Sequence, residues 1–269
     1  MPWFFEGVAL VIGAIIGSFL NVVIHRYPRG ESVVFPPSRC PRCKHHIAWY
    51  DNIPVLSYAV LAGKCRQCRG PIDLRYPLVE AANALFYLAI YLRAGLSVGA
   101  GIVAAIVSIT ITLIYIDADI QILPDVIDIP GIILGLLLAV SGLAAGSSDL
   151  LLALDWVDSL IGAAAGAAVI LAVAAIYYAI RRIEGMGMGD AKMLAMIGAV
   201  IGWRPLYATM LTACVAGALT GGVMAVKSRR RDLRFALPFG TFLGLAFLVM
   251  LFFGERYVYS WIPVLRFGR

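Results

Sequence analysis

The sequence predicts an all-α polytopic membrane protein of about eight transmembrane helices, with one sizeable polar loop between the first two. Three observations lead there. Of 269 residues, 61% are hydrophobic and only 14% charged, whereas soluble domains carry about a quarter charged residues. Mean hydropathy is +0.89. The Lys and Arg residues gather in a few short stretches between long apolar runs. Together these exclude an ordinary soluble domain, a disordered chain, a collagen-like chain and a disulfide scaffold. The 22 basic and 16 acidic residues give a net charge of +6. Its placement argues for membrane topology rather than nucleic-acid binding.

A spanning helix needs about 20 mainly apolar residues. Segments 5–24, 78–95, 98–116, 126–145, 157–180, 190–203, 205–226 and 236–254 qualify. The sixth is the weakest, because its apolar run from Ala191 to Gly202 is short. That predicts a tilted or partial helix lying beside protein rather than lipid. The first run is expected to be a permanent span and not a cleaved leader: residues 1–6 hold Glu6 and no Lys or Arg, and charge follows at His25-Arg26. The chain thus divides into a first span (1–25), a water-facing loop (26–77) and a membrane core (78–269).

Cytoplasmic loops retain positive charge. Nine basic residues lie in the first loop: Arg26, Arg29, Arg39, Arg42, Lys44, Lys64, Arg66, Arg69 and Arg75. Arg181, Arg182 and Lys192 follow the fifth span, and Lys227, Arg229, Arg230, Arg231 and Arg234 precede the last. All three sets fall on one side, which is therefore expected to be cytoplasmic, with both termini outside.

The first loop carries Cys40-Pro-Arg-Cys43 and Cys65-Arg-Gln-Cys68, two knuckles at metal-ligand spacing. Four thiolates can close a tetrahedron on Zn²⁺ and help fold a segment too small for its own core. A reducing compartment disfavours disulfides. A four-Cys set leaves no position for water, so the zinc is expected to be structural. Gly63 and Gly70 flank the second knuckle, where tight turns favour glycine. The fifth cysteine, Cys214, sits in an apolar span and is expected to be a small buried hydrophobe.

Acidic residues beside spans are costly and mark function. Here Asp117, Asp119 and Asp125 end the third span, Asp128 follows on the fourth, and Gly185-Met-Gly187-Met-Gly189-Asp190 opens the sixth. Two carboxylates in a low-dielectric site cannot both ionise easily, so a pair can act as acid and base on one water, the chemistry of aspartic proteases. Gly187 and Gly189 let an extended substrate or a neighbouring helix approach Asp190 closely. Residue physics leaves open whether Asp117, Asp119 or Asp125 is the partner. Lys192 follows one turn position later. Glu80 opens the second span and could bind a cationic substrate group or cap its helix, with capping favoured.

These motifs resemble the bacterial type IV prepilin peptidase family, intramembrane aspartyl proteases that are also N-methyltransferases. The resemblance runs through Gly17 to Arg26, both knuckles, Trp49 to Tyr58, Arg75 to Glu80, Asp117 to Asp125, Gly187 to Lys192, and Pro238-Phe239-Gly240-Thr241-Phe242. At Thr241 the family pattern anticipates Pro. The resemblance implies Asp117 and Asp190 as catalytic carboxylates and zinc at Cys40, Cys43, Cys65 and Cys68. Gly187, Gly189, Lys192, Glu80 and Asp125 become supporting residues. It further implies a bacterial inner-membrane location, type IV prepilins and type II secretion pseudopilins as substrates, and S-adenosylmethionine as methyl donor. No glycine-rich nucleotide loop after a strand is evident, so that donor's site is expected in the 26–77 loop. Competing readings are a transporter with a cytoplasmic zinc module and a signal-peptide-peptidase-like protease.

Overall fold

A computed structural model of the chain describes residues 2–143, 150, 152–153, 155–182, 187–227 and 237–261. The expected basic loop at 228–234, Gly185 and the C-terminal arginines Arg266 and Arg269 lie outside the described residues. Every expected apolar segment is a helix: α1 (Pro2–Arg26), α3 (Arg75–Ala94), α4 (Val98–Ile120), α5 (Asp125–Val140), α6 (Trp156–Arg181), α7 (Met188–Ile201), α8 (Trp203–Lys227) and α9 (Phe239–Trp261). A short helix, α2 (Leu56–Val60), lies in the loop. There is no β-strand among the described residues, only two isolated bridges. Helices α1, α4, α6 and α8 are each long and apolar enough to cross a membrane, and α9 contributes a shorter apolar stretch. The chain is a membrane protein.

The helix ends follow local chemistry. The Ser97 hydroxyl accepts from the Ala100 N–H at 3.0 Å and starts α4, and the Asp155 carboxylate does the same for α6 through the Asp158 N–H at 2.7 Å. Hydroxyls buried along the helices turn back onto their own backbone: Thr110 donates to the Ile106 carbonyl, Thr112 to Ser108 and Thr209 to Pro205. That arrangement satisfies these three buried hydroxyls within their own helices.

The chain forms two compact units divided after Gly95. The second expected span therefore groups with the first helix and the loop, and not with the later helices. Within the first unit, α1 lies against α3 through glycines. A Cβ on Gly13 would meet the Ala84 backbone at 2.7 Å, and one on Gly17 the Glu80 backbone at 2.8 Å. The buried Asn83 amide donates to the Gly13 carbonyl at 2.7 Å, and Asn21 donates to Tyr76 at 3.0 Å, so polar bonds lock the same contact.

The second unit is organised around α7. From Met193 to Ile201 every residue of this helix is buried. Gly162 and Gly166 of α6 sit on the backbone of Gly198 and Leu194, and Gly131 and Gly135 of α5 sit on Met196 and Ala199. Small residues let these backbones approach closely. The Ser159 hydroxyl donates to the Ala199 carbonyl at 2.6 Å across the same seam. At 14 residues α7 is about 21 Å long, short of a hydrocarbon core of about 30 Å. The expectation that this segment runs beside protein agrees with its burial. Cys214 differs from expectation, since it is exposed on α8, a helix that shows most of its apolar surface.

Gly166→Ala should destabilise the protein, because the new Cβ collides with the Leu194 carbonyl, a backbone atom that cannot rotate away. Gly101→Ala on α4, where nothing lies within 4 Å, serves as the control. A loss of about 1–3 kcal/mol is expected for the first and none for the second, read as thermal midpoints in detergent. Equal midpoints would contradict the packing described.

Candidate active site and metal centre

Four helix ends of the second unit meet: the C-terminus of α4 and the N-termini of α5, α7 and α9. Asp117 lies in the last turn of α4 and is 4% exposed. Its Oδ2 accepts from the Thr241 N–H of α9 at 2.6 Å, and the Thr241 hydroxyl lies 3.0 Å from the same oxygen. Asp190 occupies the first turn of α7 after an N-cap at Gly187, and its charge interacts with that of Asp117. Leu123, between α4 and α5, ties the two together. A Cβ on Gly189 would come within 2.7 Å of Leu123 Cβ, and one on Gly240 within 2.9 Å of Leu123 Cδ1 and 3.1 Å of Asp117 Cγ. The neighbour that needs Gly189 is thus Leu123. Among the described residues, only Asp190 Oδ2 and the Gly189 nitrogen lie near a Cβ built on Gly187, both at 3.9 Å.

The supporting residues separate into distinct environments. Lys192 Nζ and Asp125 Oδ1 form an ion pair at 2.5 Å between α7 and α5, with Asp125 more than half exposed. Asp125 is therefore occupied by a cation at the rim, while Asp117 is buried. Asp119, two residues further on, is exposed. Glu80 lies in the first unit and does not cap its helix: α3 begins earlier, at Arg75. The buried Glu80 Oε2 instead accepts the Val55 N–H at 2.8 Å and interacts with Ser18 and Asn21. It anchors the loop to α3 at a residue, Val55, held at a φ of +61°.

In the loop, Cys40, Cys43, Cys65 and Cys68 have their sulfurs within 4.8 Å of one another, and none forms a disulfide. The Cys40 and Cys68 sulfurs are 3.9 Å apart. A tetrahedron with metal–sulfur bonds of about 2.3 Å has sulfur–sulfur edges of about 3.8 Å, so the donor set could hold a metal ion. Both knuckles use the same backbone bonds. The Cys40 N–H donates to the His45 carbonyl and the Lys44 N–H to Cys40; the Cys65 N–H donates to Gly70 and the Arg69 N–H to Cys65. Lys44 and Arg69, at matching positions, both take left-handed φ values. Burial pushes the Cys40 thiol up, but the backbone N–H groups of Cys43 and Arg42 outweigh it and bring it down to about 7, towards the thiolate that ligates metals. Gly70 leaves room for both knuckles, since a Cβ there would lie 2.7 Å from Arg42 Cδ and 3.3 Å from Cys68 Sγ. Arg66, inside the second knuckle, grips Asp51 with Nε and Nη2 at 2.7–3.1 Å. This side-chain bond holds the Asp51 carboxyl below its usual range.

Comparisons with known proteins bear on both units. Residues 11–94 match the family model described as bacterial peptidase A24 N-terminal domain, and residues 104–222 match the type IV leader peptidase family. The chain is 34% identical to the prepilin leader peptidase/N-methyltransferase of Pseudomonas putida, across 99% of this chain and 96% of that protein. Similar proteins of that name from Pseudomonas aeruginosa and Burkholderia pseudomallei are 35% and 36% identical, across 95% and 93% of this chain and 92% and 85% of theirs. No solved structure matches.

Two polar residues of the site carry more than their sequence positions suggest. Thr241 is one, through its bonds to Asp117. The other is Asp128, in the first turn and a half of α5: it is fully buried, and neither carboxylate oxygen has a hydrogen-bond partner among the described residues. The charges of Asp125, Lys192, Asp190 and Asp117 all act on it. Nothing in its spacing marks this burial, since Asp128 follows Asp125 as any solvated helix-start acid would. A buried polar group without partners costs about 1–3 kcal/mol. Asp128→Thr keeps the volume and can donate to the Pro124 carbonyl four residues back. It should raise stability by about 1 kcal/mol, seen as a higher thermal midpoint in detergent; a lowered midpoint would show that Asp128 is satisfied.

Proposed function

Because the chain belongs to the type IV leader peptidase family, we propose that Asp117 and Asp190 cut the short basic leader from type IV prepilins and from the pilin-like subunits of type II secretion. The new N-terminus is then methylated with S-adenosylmethionine as donor. One observation carries the cleavage reading: two carboxylates far apart in sequence sit at one end of the second unit with their charges interacting. The other acids differ, for Asp125 is neutralised by Lys192 and Asp119 is exposed.

The chemistry is that of an aspartic protease. One ionised carboxylate takes a proton from water as the water attacks the scissile carbonyl, and the protonated partner gives its proton to the carbonyl oxygen. Collapse of the tetrahedral species passes a proton to the departing amine and frees the leader. No acyl-enzyme forms. Of the three helix N-termini at the site, those of α7 and α9 place positive dipole ends where negative charge is held. Room beside Gly187 suits an extended substrate backbone next to Asp190.

In this reading the protein crosses the bacterial inner membrane eight times, with its termini in the periplasm and the Asp pair at the cytoplasmic surface. The basic loops support that orientation. The four cysteines bind Zn²⁺ as a structural ion that holds the two knuckles together, and the methyl donor binds in the 26–77 loop. A transporter reading places its acids at the bilayer midplane, which the helix-end position of Asp117 and Asp190 disfavours.

Asp117→Asn and Asp190→Asn should each reduce cleavage of a purified prepilin by at least about a thousandfold, measured by mass of the released leader. The variants should still insert and keep their thermal midpoints. Cleavage retained by either variant removes that Asp from the mechanism. Cys65→Ser should abolish zinc binding, read by metal analysis, and lower methylation far more than proteolysis. An equal loss of both activities would argue against a separate methylation site in the loop.

A further inference from the structure

The first N–H groups of a helix have no acceptor within it. In α9 the third residue, Thr241, directs its free N–H to Asp117 Oδ2 at 2.6 Å. The Thr241 hydroxyl stands between two acceptors, Asp117 Oδ2 at 3.0 Å and the Ile114 carbonyl at 3.1 Å. A hydroxyl has one proton and two lone pairs, so it donates to one of these at a time. With Asp117 ionised, both Thr241 donors serve Oδ2. With Asp117 protonated, the hydroxyl can turn its proton to Ile114. The other carboxylate oxygen, Oδ1, receives no hydrogen bond from a described residue.

From this geometry we infer that Thr241 is the positioning residue for Asp117, dedicating Oδ2 to the protein and leaving Oδ1 as the oxygen that exchanges protons with water. The inference rests on the reading of Asp117 as one of the two cleaving carboxylates. In the proton cycle, water gives a proton to Oδ1 as its oxygen bonds the scissile carbon. The hydroxyl of Thr241 rotates from Oδ2 to the Ile114 carbonyl as the negative charge disappears. When Oδ1 passes the proton to the leaving amine, the hydroxyl rotates back. Every proton is accounted for, and Thr241 itself loses none. Gly240 is needed beside it, since a Cβ there would lie 3.1 Å from both Asp117 Cγ and Oδ2.

The feature is a property of this chain. A proline at position 241, anticipated from the family resemblance, has neither an N–H nor a hydroxyl, so both donors come with the threonine. Among the described residues, the charged groups facing Asp117 are Asp190 from α7 and Asp128 from α5. Neither is a cation, and Lys192 is engaged by Asp125. Among the described residues, the two donors of Thr241 are the hydrogen-bond donors that an ionised Asp117 side chain meets.

The test uses the full-length protein in detergent with a full-length type IV prepilin, following kcat and KM against pH. Thr241→Val keeps shape and N–H and removes the hydroxyl. It should lower kcat about tenfold at neutral pH with KM nearly unchanged, and move the acidic limb of the kcat profile to higher pH. Thr241→Ser should restore both, and Thr241→Pro should match or exceed the valine defect. Thr241→Ala replaces the valine variant if the latter is not recovered folded. The inference is overturned if kcat and its pH profile are unchanged in the valine or alanine variant. It is overturned equally if activity falls without a shift of the limb, or if serine fails to rescue. Asp117→Asn is run alongside. If that variant still cleaves, the reading of the Asp pair fails; if it is inactive while Thr241→Val behaves as the parent, only the role of Thr241 fails.

Discussion

Helix ends buried among other helices must find partners for backbone groups that no neighbouring residue can satisfy, and here one such end is completed by a carboxylate. The free N–H of Thr241 at the start of α9 binds Asp117 at the end of α4. That contact links two helices separated by more than a hundred residues. With the Thr241 hydroxyl at 3.0 Å it also gives a buried acid the partners that a low-dielectric setting demands. The same bond thus closes a fold and prepares a chemical group.

The counterpart acid depends on a different constraint. Asp190 is where it is because α7 can be driven into the middle of the second unit, and that requires glycine on both flanking helices. Gly162 and Gly166 of α6 and Gly131 and Gly135 of α5 remove the side chains that would hold α7 away. Lipid offers no hydrophobic gain for burying one apolar helix among others, so close backbone contact supplies the association. The ion pair from Lys192 to Asp125 then fixes the α7 start against α5, and Leu123 fills the gap that Gly189 and Gly240 leave.

The polar loop obeys another logic. It has too few apolar residues for a core, and its conformation comes from repeated backbone bonding around each cysteine pair. Glu80 secures it to α3 through Val55, and Arg66 secures the second knuckle to Asp51. An ion held by its four thiolates would add stability to such a segment.

Much of this was legible in the residues. Apolar run length located eight helices, because a bilayer or a helical core demands continuous apolar stretches. Cysteine spacing located the four-sulfur cluster that could hold a metal ion, because knuckle geometry is local. The sequence by itself also placed Asp117, Asp125 and Asp190 at helix ends, though it put Glu80 at the start of a helix that begins five residues earlier. What only the tertiary structure decided is their individual state: Asp117 buried and bonded, Asp125 neutralised, Asp128 sealed in without partners, Glu80 holding a loop instead of capping a helix. Those states arise from pairings such as Asp117 with Thr241, and a carboxylate's surroundings depend on which distant helix ends meet it. No local period encodes that meeting; the glycine seams that set the depth of α7 do.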